Sequence, residues 1–408
     1  MADTGTKSTA LWVLKHLRQA GHQALLAGGC VRDMLLGRKC SDYDIATSAA
    51  PDEVRKLFNR VLMIGAKFGV VMVLHENRQV EVATFRSDLS YTDGRRPDGV
   101  TFTTPRQDAK RRDFTINGMF YDPITEEIID YVGGQEDLAR KLVRTIGSPD
   151  RRFAEDYLRM MRAVRFAVRL DFAIDEATAA AIEKHAKNIA TISGERICDE
   201  LSKMLAEKSA QLAIETLHRV GLADKVLGEL FEDEDRWDRA VKRVGAVESR
   251  GDLTLAIAAL LCELTPKVIS KIIRRWGASN DLKNALCWIS SNLASWTEAC
   301  DMPLCEFKRL LAGEHFQRLL ILWRFQEQLA DAGDKTCNRI AARADAIPAE
   351  LIAPKPMVSG ADLIEMGLRE GPQLGRIASA IYDAQLNEEF ATRSGARQAA
   401  QELISENT

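Results

Sequence analysis

Apolar and polar positions alternate with two different periods along this chain. Over the first ~145 residues, short apolar runs are broken by turn residues and interleaved with helical spacing. Leu11, Leu14 and Leu17 lie at helical spacing behind Ser8-Thr9, with Gly21 beyond them. This predicts a helix capped by Ser8-Thr9 and stopped by Gly21. Ala24–Ala27 is a short apolar run, followed by Gly28-Gly29 and a helical segment, Val31–Leu36. Tyr43–Ala46 reads as a strand. Asp52–Phe58, behind Pro51, reads as a helix. Val70–Leu74 and Val80–Phe85 are β-rich runs flanking a polar His-Glu-Asn-Arg turn, and Val100–Thr103 and Ile128–Val132 add two strands. The pattern predicts an α+β domain with a small mixed sheet.

Beyond residue ~150 the period becomes that of amphipathic helix almost throughout. Breaks fall near Gly194, Gly221, Gly251, Pro266 and Pro303, and the proline-containing stretch at 347–357 reads as a linker. No 20–50-residue repeat recurs. A chain of 408 residues is too long for one core, so several domains are expected.

Composition narrows the function classes. An apolar content of 46% with 28% charged residues excludes a disordered chain. With 56 Lys+Arg against 59 Asp+Glu the net charge is −3, which excludes a globally basic nucleic-acid binder. A nucleic-acid site would have to be a local basic face. The eight cysteines form no C-x-x-C pair and are irregularly spaced, so reduced, mostly buried thiols are expected rather than a zinc site or disulfide framework. The N-terminal MADTGTKST carries no apolar stretch of signal-peptide type. The longest apolar run, near Leu255–Cys262, is far short of the ~20 residues that span a bilayer, so no membrane partner is expected.

Candidate chemistry begins at Gly28-Gly29-Cys30-Val31-Arg32-Asp33, followed eight residues later by Asp42-Tyr43-Asp44. A Gly-Gly turn entering a helix frees backbone N–H groups for phosphate, and Arg32 can reach the same anion. On a strand, Asp42 and Asp44 face one side. Adjacent carboxylates repel unless a cation compensates, and Mg²⁺ takes one or two carboxylates together with substrate phosphates. Two such ions would activate an attacking hydroxyl and steady a leaving pyrophosphate. Glu81 lies on the opposite face of its strand from Val80 and Val82. It is either a third metal carboxylate or the polar face of a half-buried strand.

Two further segments carry arginines. Arg111-Arg112-Asp113-Phe114-Thr115-Ile116-Asn117 suits a triphosphate clamp, because the guanidinium fork matches phosphate oxygens. On a strand the two arginines would face opposite sides, leaving one for the ligand; a solvated charge run has the same look. Glu155–Phe166 reads as one helix with an apolar stripe at Tyr157, Met161, Val164 and Val168. Asp156 and Arg159 are i, i+3 neighbours, an acceptor beside a donor. Cytosine and adenine each show an amino donor next to a ring acceptor and match that pair. Uracil and guanine reverse it, and the mismatch is worth ~10⁴-fold in selectivity. The same spacing also gives an ordinary surface ion pair of about 0.2–0.5 kcal/mol. Arg162 and Arg165 continue the row.

In order and spacing, these segments together with Gly194–Glu200 (GERICDE) resemble the class II tRNA nucleotidyltransferases, the CCA-adding enzymes, within a superfamily that includes bacterial poly(A) polymerase. The resemblance covers roughly residues 24–206. It implies a nucleotidyltransferase head (1–145) and an all-α neck (146–206), body (207–305) and tail (306–408). It implies that Asp42 and Asp44 bind Mg²⁺ and are catalytic. Gly29, Arg32 and one of the Arg111-Arg112 pair, taken as Arg112, would contact the nucleotide. Asp156 and Arg159 would select C or A in place of a template, Arg162 and Arg165 would support the nucleotide, and Glu195 and Arg196 would steady the turn behind them. ATP, CTP and tRNA are the implied partners, in the cytoplasm, with no obligate protein partner. Gly65-Ala66-Lys67-Phe68-Gly69-Val70-Val71 is closer to the tRNA enzymes than to poly(A) polymerases, as is the tail segment Ser359–Leu363. The stretch Asp93–Pro97 resembles a loop that CC-only enzymes lack, which leaves CCA-adding, A-adding and poly(A) synthesis as the alternatives. No His-Asp hydrolase signature follows.

Overall fold

A computed structural model describes residues 5–40, 42–89, 99–247, 251–330, 333 and 335–406. The chain divides into two compact units, Met1–Glu232 with Arg275–Gly277, and Asp233–Arg274 with Ala278–Thr408.

The first unit opens with helix α1 (Gly5–Gln19). It starts earlier than Ser8-Thr9 predicts, because both hydroxyls turn back to the Gly5 carbonyl at 2.9 Å and sit inside the first turn. Strand β1 (Ala24–Ala27) leads into α2 (Gly29–Leu35), then β2 (Asp44–Thr47) and α3 (Pro51–Leu57). Then come β3 (Val61–Leu62), β4 (Val70–His75), β5 (Arg78–Thr84) and a separate hairpin of β6 (Arg86–Asp88) with β7 (Val100–Phe102). Helix α4 (Pro105–Arg111) precedes β8 (Phe120–Asp122) and β9 (Glu127–Ile129).

Seven strands form one mixed sheet in the order β3-β4-β5-β2-β1-β8-β9. β1 is buried along its whole length, which explains its unbroken Ala-Leu-Leu-Ala run. β2 pairs antiparallel with β1 and parallel with β5, setting Ile45 opposite Val82. On one side of this sheet Leu25, Ala27, Ala46, Phe85, Ala109 and Phe120 form a core cluster. The register places Asp44 and Glu81 side by side, each one residue before the Ile45–Val82 pair.

The α+β expectation holds, since helices follow almost without interruption. They include α5 (Gly134–Ala139), α6 (Pro149–Glu155), α7 (Leu158–Leu170), α8 (Glu176–His185) and α9 (Gly194–Leu205). Helix α9 starts at a glycine because a Cβ on Gly194 would meet the Arg275 carbonyl oxygen at 1.8 Å.

The described part of the second unit is helical, and its C-terminal portion has its own core of Leu363, Ile377, Ile381, Ala396 and Ala400. The segment expected as a linker is fastened to helix Pro372–Leu386. Tyr382 donates to the Pro354 carbonyl at 3.0 Å, and Gln385 bonds both Met357 N and the Lys355 carbonyl. The loop expected at Asp93–Pro97 lies outside the described residues.

Candidate active site

The Gly-Gly turn forms at the end of the buried strand β1. Gly28 has φ 75°, in the left-handed region where glycine costs least, and a Cβ there would lie 3.1 Å from Arg112 Nη1. Arg32, one turn into α2, is only 3% exposed. Its guanidinium donates to Asp33 Oδ1 at 2.8 Å and Asn117 Oδ1 at 2.7 Å, and lies 5.4 Å from the Phe166 ring centroid. α2 has only seven residues, so its dipole field is short and the arginines carry most of the positive charge here.

These groups line a cavity of about 1020 Å³. All nine residues predicted from sequence, Gly29, Arg32, Asp42, Asp44, Arg112, Asp156, Arg159, Arg162 and Arg165, lie on its wall. Ten Arg and Lys side chains face seven carboxylates there, so the cavity is locally cationic although the chain is net acidic.

Asp42 and Asp44 are exposed and flank the buried Tyr43, the alternation of an extended segment, although β2 itself begins only at Asp44. Asp44 is accessible from the cavity, yet the protein packed around its carboxyl limits hydration; that desolvation, and then the charges of Glu81 and Asp42, push the carboxyl up to about 6, against an opposing pull from Arg112. Excess negative charge at a hard-oxygen donor pair fits a divalent cation such as Mg²⁺. Among the described residues no group of three or more His, Cys, Asp or Glu converges as a metal cage. The Asp42–Asp44 pair could supply donors to such an ion, and the Glu81 charge acts on Asp44 beside it. Cys30 is buried beside them, its thiol pushed up to about 12 by burial, and is inert as a nucleophile.

Arg111 and Arg112 do not lie on a strand. Arg111 ends α4 and Arg112 follows it, so both turn back onto the Asp108 carboxylate, at 2.8 and 3.1 Å. Asp108 is buried. That burial would raise its carboxyl, but the Arg112 and Arg111 charges hold it below the usual range. Both arginines line the cavity instead of facing opposite ways, and Arg112 also lies 5.1 Å from the Phe120 ring centroid. The segment after them, expected as strand, is a single turn of tight helix at Thr115–Asn117.

The continuous helix expected across Glu155–Phe166 is broken. α6 ends at Glu155, Asp156 is extended (φ −159°, ψ 104°), and α7 starts at Leu158. Asp156 accepts from Arg196 Nη1 at 3.1 Å and Nη2 at 2.7 Å, while Arg159 donates to Glu155 Oε2 at 2.6 Å and the Arg152 carbonyl at 2.9 Å. Arg162 forks onto Asp113 Oδ2 at 3.0 and 2.6 Å, and Arg165 donates to Glu200 at 2.6 Å. Their guanidinium carbons lie 5.4 and 4.4 Å from the Phe166 ring centroid.

Asn117, Asp113 and Glu200 were not among the predicted site residues. Arg32–Asn117–Asp113–Arg162–Glu200–Arg165 forms one run of hydrogen bonds and ion pairs, with Asn117 Nδ2 donating to Asp113 at 3.3 Å and Arg162 3.6 Å from Glu200. All three lie inside the motif segments. The available signal was that a cluster of arginines needs carboxylate partners when no ligand is bound.

Residues 24–144 match the family model described as Poly A polymerase head domain, and residues 171–233 match that described as a probable RNA and SrmB-binding site of polymerase A. The CCA-adding enzyme of Geobacillus thermodenitrificans (strain NG80-2) is 37% identical over 391 residues, 93% of each chain. That of Bacillus velezensis is 41% identical over 268 residues, 65% of this chain and 67% of the relative. The Bacillus stearothermophilus CCA-adding enzyme in complex with CTP superposes with a TM-score of 0.79 at 30% identity, covering 98% of both chains. The Thermotoga maritima CCA-adding enzyme complexed with tRNA shares the fold, with a TM-score of 0.66 at 19% identity, 100% of this chain and 97% of that one. A relative matched along nearly its whole length, with the head-domain match over the cavity's first wall, makes the chain a member of the CCA-adding enzyme family of nucleotidyltransferases.

Proposed function

We propose that this protein adds C, C and A to the 3′ end of tRNA from CTP and ATP without a nucleic-acid template. The observation that carries the reading is one cationic cavity lined by both the Asp42–Asp44 carboxylates and the Asp156–Arg159 pair. Transfer and base choice then act on the same bound nucleotide. The relatives named for CCA addition, and the solved neighbour holding CTP, support it.

In this reading Gly29, Arg32 and Arg112 hold the triphosphate, with Arg162 and Arg165 exchanging carboxylate partners for phosphate oxygens. The tRNA 3′-oxygen attacks the α-phosphorus, a new P–O bond forms, the bond to the β-phosphate bridging oxygen breaks, and pyrophosphate leaves. Mg²⁺ held by Asp42 and Asp44 supplies the positive charge that favours the attacking alkoxide and offsets charge on the leaving pyrophosphate. Asp156 accepts from the amino group of cytosine or adenine, and Arg159 donates to the adjacent ring nitrogen. Arg196 holds the Asp156 carboxylate in place for this. Residues 1–145 serve as catalytic head, 146–206 as neck, 207–305 as body and 306–408 as tRNA-binding tail. A cytoplasmic location is part of this reading, as the resemblance to the CCA-adding enzymes implies.

The test is purified protein with tRNA lacking its terminal CCA, CTP, ATP and Mg²⁺. A product three nucleotides longer is expected, with none after EDTA. Undiminished extension in EDTA would refute the metal assignment.

A further inference from the structure

Arg196, the residue that holds Asp156, is the third residue of α9. A helix is loosest in its first turn, where four N–H groups lack an intrahelical partner. A serine just before the helix commonly restrains that turn, but the Ser193 hydroxyl makes no capping hydrogen bond here. The turn is braced from outside instead, by the backbone of Arg275-Trp276-Gly277. A Cβ on Gly194 would collide with the Arg275 carbonyl oxygen and lie 2.9 Å from Trp276 Cα, so the approach requires glycine. A Cβ on Gly277 would in turn lie 2.7 Å from Glu195 Cγ. The bracing segment is itself fixed. Arg275 forks onto Glu229, Nη1 to Oε1 at 2.7 Å and Nη2 to Oε2 at 3.1 Å, and Nη2 also donates to the Val226 carbonyl at 3.2 Å. The Trp276 side chain is fully buried, and Gly277, at φ 63°, turns the chain out of the helix Pro266–Trp276. These three residues belong to the same compact unit as α9, although the chain on either side of them belongs to the other.

We propose that Arg275 is a positioning residue for base choice: anchored on Glu229, it sets the start of α9 and so keeps Arg196 on Asp156. The proposal rests on the reading that Asp156 and Arg159 choose the base. A two-point fork demands more of its backbone than a single contact does, because both hydrogen bonds must keep their direction at once. Once the first turn of α9 loosens, Arg196 slips from one or both Asp156 oxygens and the carboxylate is free to turn. Cytosine and adenine then lose their advantage over uracil and guanine. Glu200, the partner of Arg162 and Arg165, lies in the interior of α9, where the helix's own hydrogen bonds hold the backbone. The arginines assigned to the phosphates therefore keep their partner when the first turn loosens, and the effect of Arg275 falls on base choice.

The experiment uses R275A in the full chain, with tRNA lacking CCA and CTP or UTP singly. The Arg275 side chain is 43% exposed, so its removal should leave the chain folded; E229Q weakens the same fork from the other side. In both variants the kcat/KM preference for CTP over UTP should fall about fivefold, and R275K should recover part of it. In an R196A background the same change at Arg275 should move the preference by less than about twofold, because both residues act on one contact. Amide hydrogen exchange over residues 194–199 should quicken about tenfold in R275A. An unchanged preference in R275A and E229Q, or unchanged exchange, would overturn the proposal. So would an equal fall in the R196A background, since Arg275 would then act by another route. A wild-type protein with no preference for CTP over UTP would refute the base-choice reading, while the exchange rates would still test whether Arg275 sets the start of α9.

Discussion

Arg196 closes on both carboxylate oxygens of Asp156, Nη1 to Oδ1 at 3.1 Å and Nη2 to Oδ2 at 2.7 Å. Asp156 sits at a helix break, and locally only the Leu158 N–H, donating to Oδ1 at 3.1 Å, holds its side chain. A fork-to-fork pair from α9 engages both oxygens and completes the positioning, leaving outward lone pairs for a base amino group. Replacing Arg196 by Ala should free that carboxylate at a cost of about 1–3 kcal/mol, and selectivity for C and A over U and G should drop about tenfold or more. Single-nucleotide incorporation with UTP against CTP measures this. R196K should recover only part, because Lys is not bidentate, and unchanged selectivity would show that Arg196 merely supports the fold.

Asp42→Ala or Asp44→Asn should cut turnover by about 10³-fold or more, because several kcal/mol of charge stabilisation at the reacting phosphate are lost. Affinity for tRNA should persist, since Asp42 and Asp44 serve the nucleotide cavity. Parallel rate and filter-binding measurements check both halves.

Gly28→Ala should destabilise the head by about 1–2 kcal/mol from its positive φ alone. The added methyl also meets Arg112 Nη1 at 3.1 Å, so that guanidinium must shift. The expected result is a lower Tm together with a raised KM for both CTP and ATP. A lower Tm with unchanged KM would remove Arg112 from the nucleotide site.

Asp113 gives a pH dependence whose sign follows from its partner. Burial would raise its carboxyl, but the Arg162 charge and hydrogen bonds dominate and hold it at about 2. A group depressed on folding adds stability that is present above its unfolded value and is lost as pH falls through the folded one. This pair should therefore contribute about 2 kcal/mol at neutral pH and lose it between about pH 4 and pH 2. Urea unfolding of wild type and D113N across that range checks it. The two stability curves should converge towards pH 2, and a constant gap would contradict the pairing.

The sequence showed the chemistry more clearly than its local setting. Strand β1, the Gly-Gly turn and the Asp-x-Asp segment were legible because a fully buried strand is an unbroken apolar run and a positive-φ turn selects glycine. Strand β7 was legible from Val100–Thr103, but its partner β6 was not, because the three polar residues Arg86–Asp88 show no apolar period. Arg152–Arg165 keeps helical spacing straight through Asp156, so the break there left no periodic trace. Ion-pair choice was hidden for a different reason. Asp156 and Arg196 are forty residues apart, as are many possible pairs, and only the packing of α7 against α9 selects that one. The acidic net charge was equally silent about the cationic cavity, because charge is segregated in space and not along the chain.

The central claim is tested most directly by three tRNAs ending before the first C, after one C and after CC, each incubated with every nucleoside triphosphate singly and then with CTP and ATP together. The account predicts C addition to the first two, A addition to the third, and a product that stops at CCA. Long A tails, or A addition to the third tRNA with no C addition to the others, would contradict it.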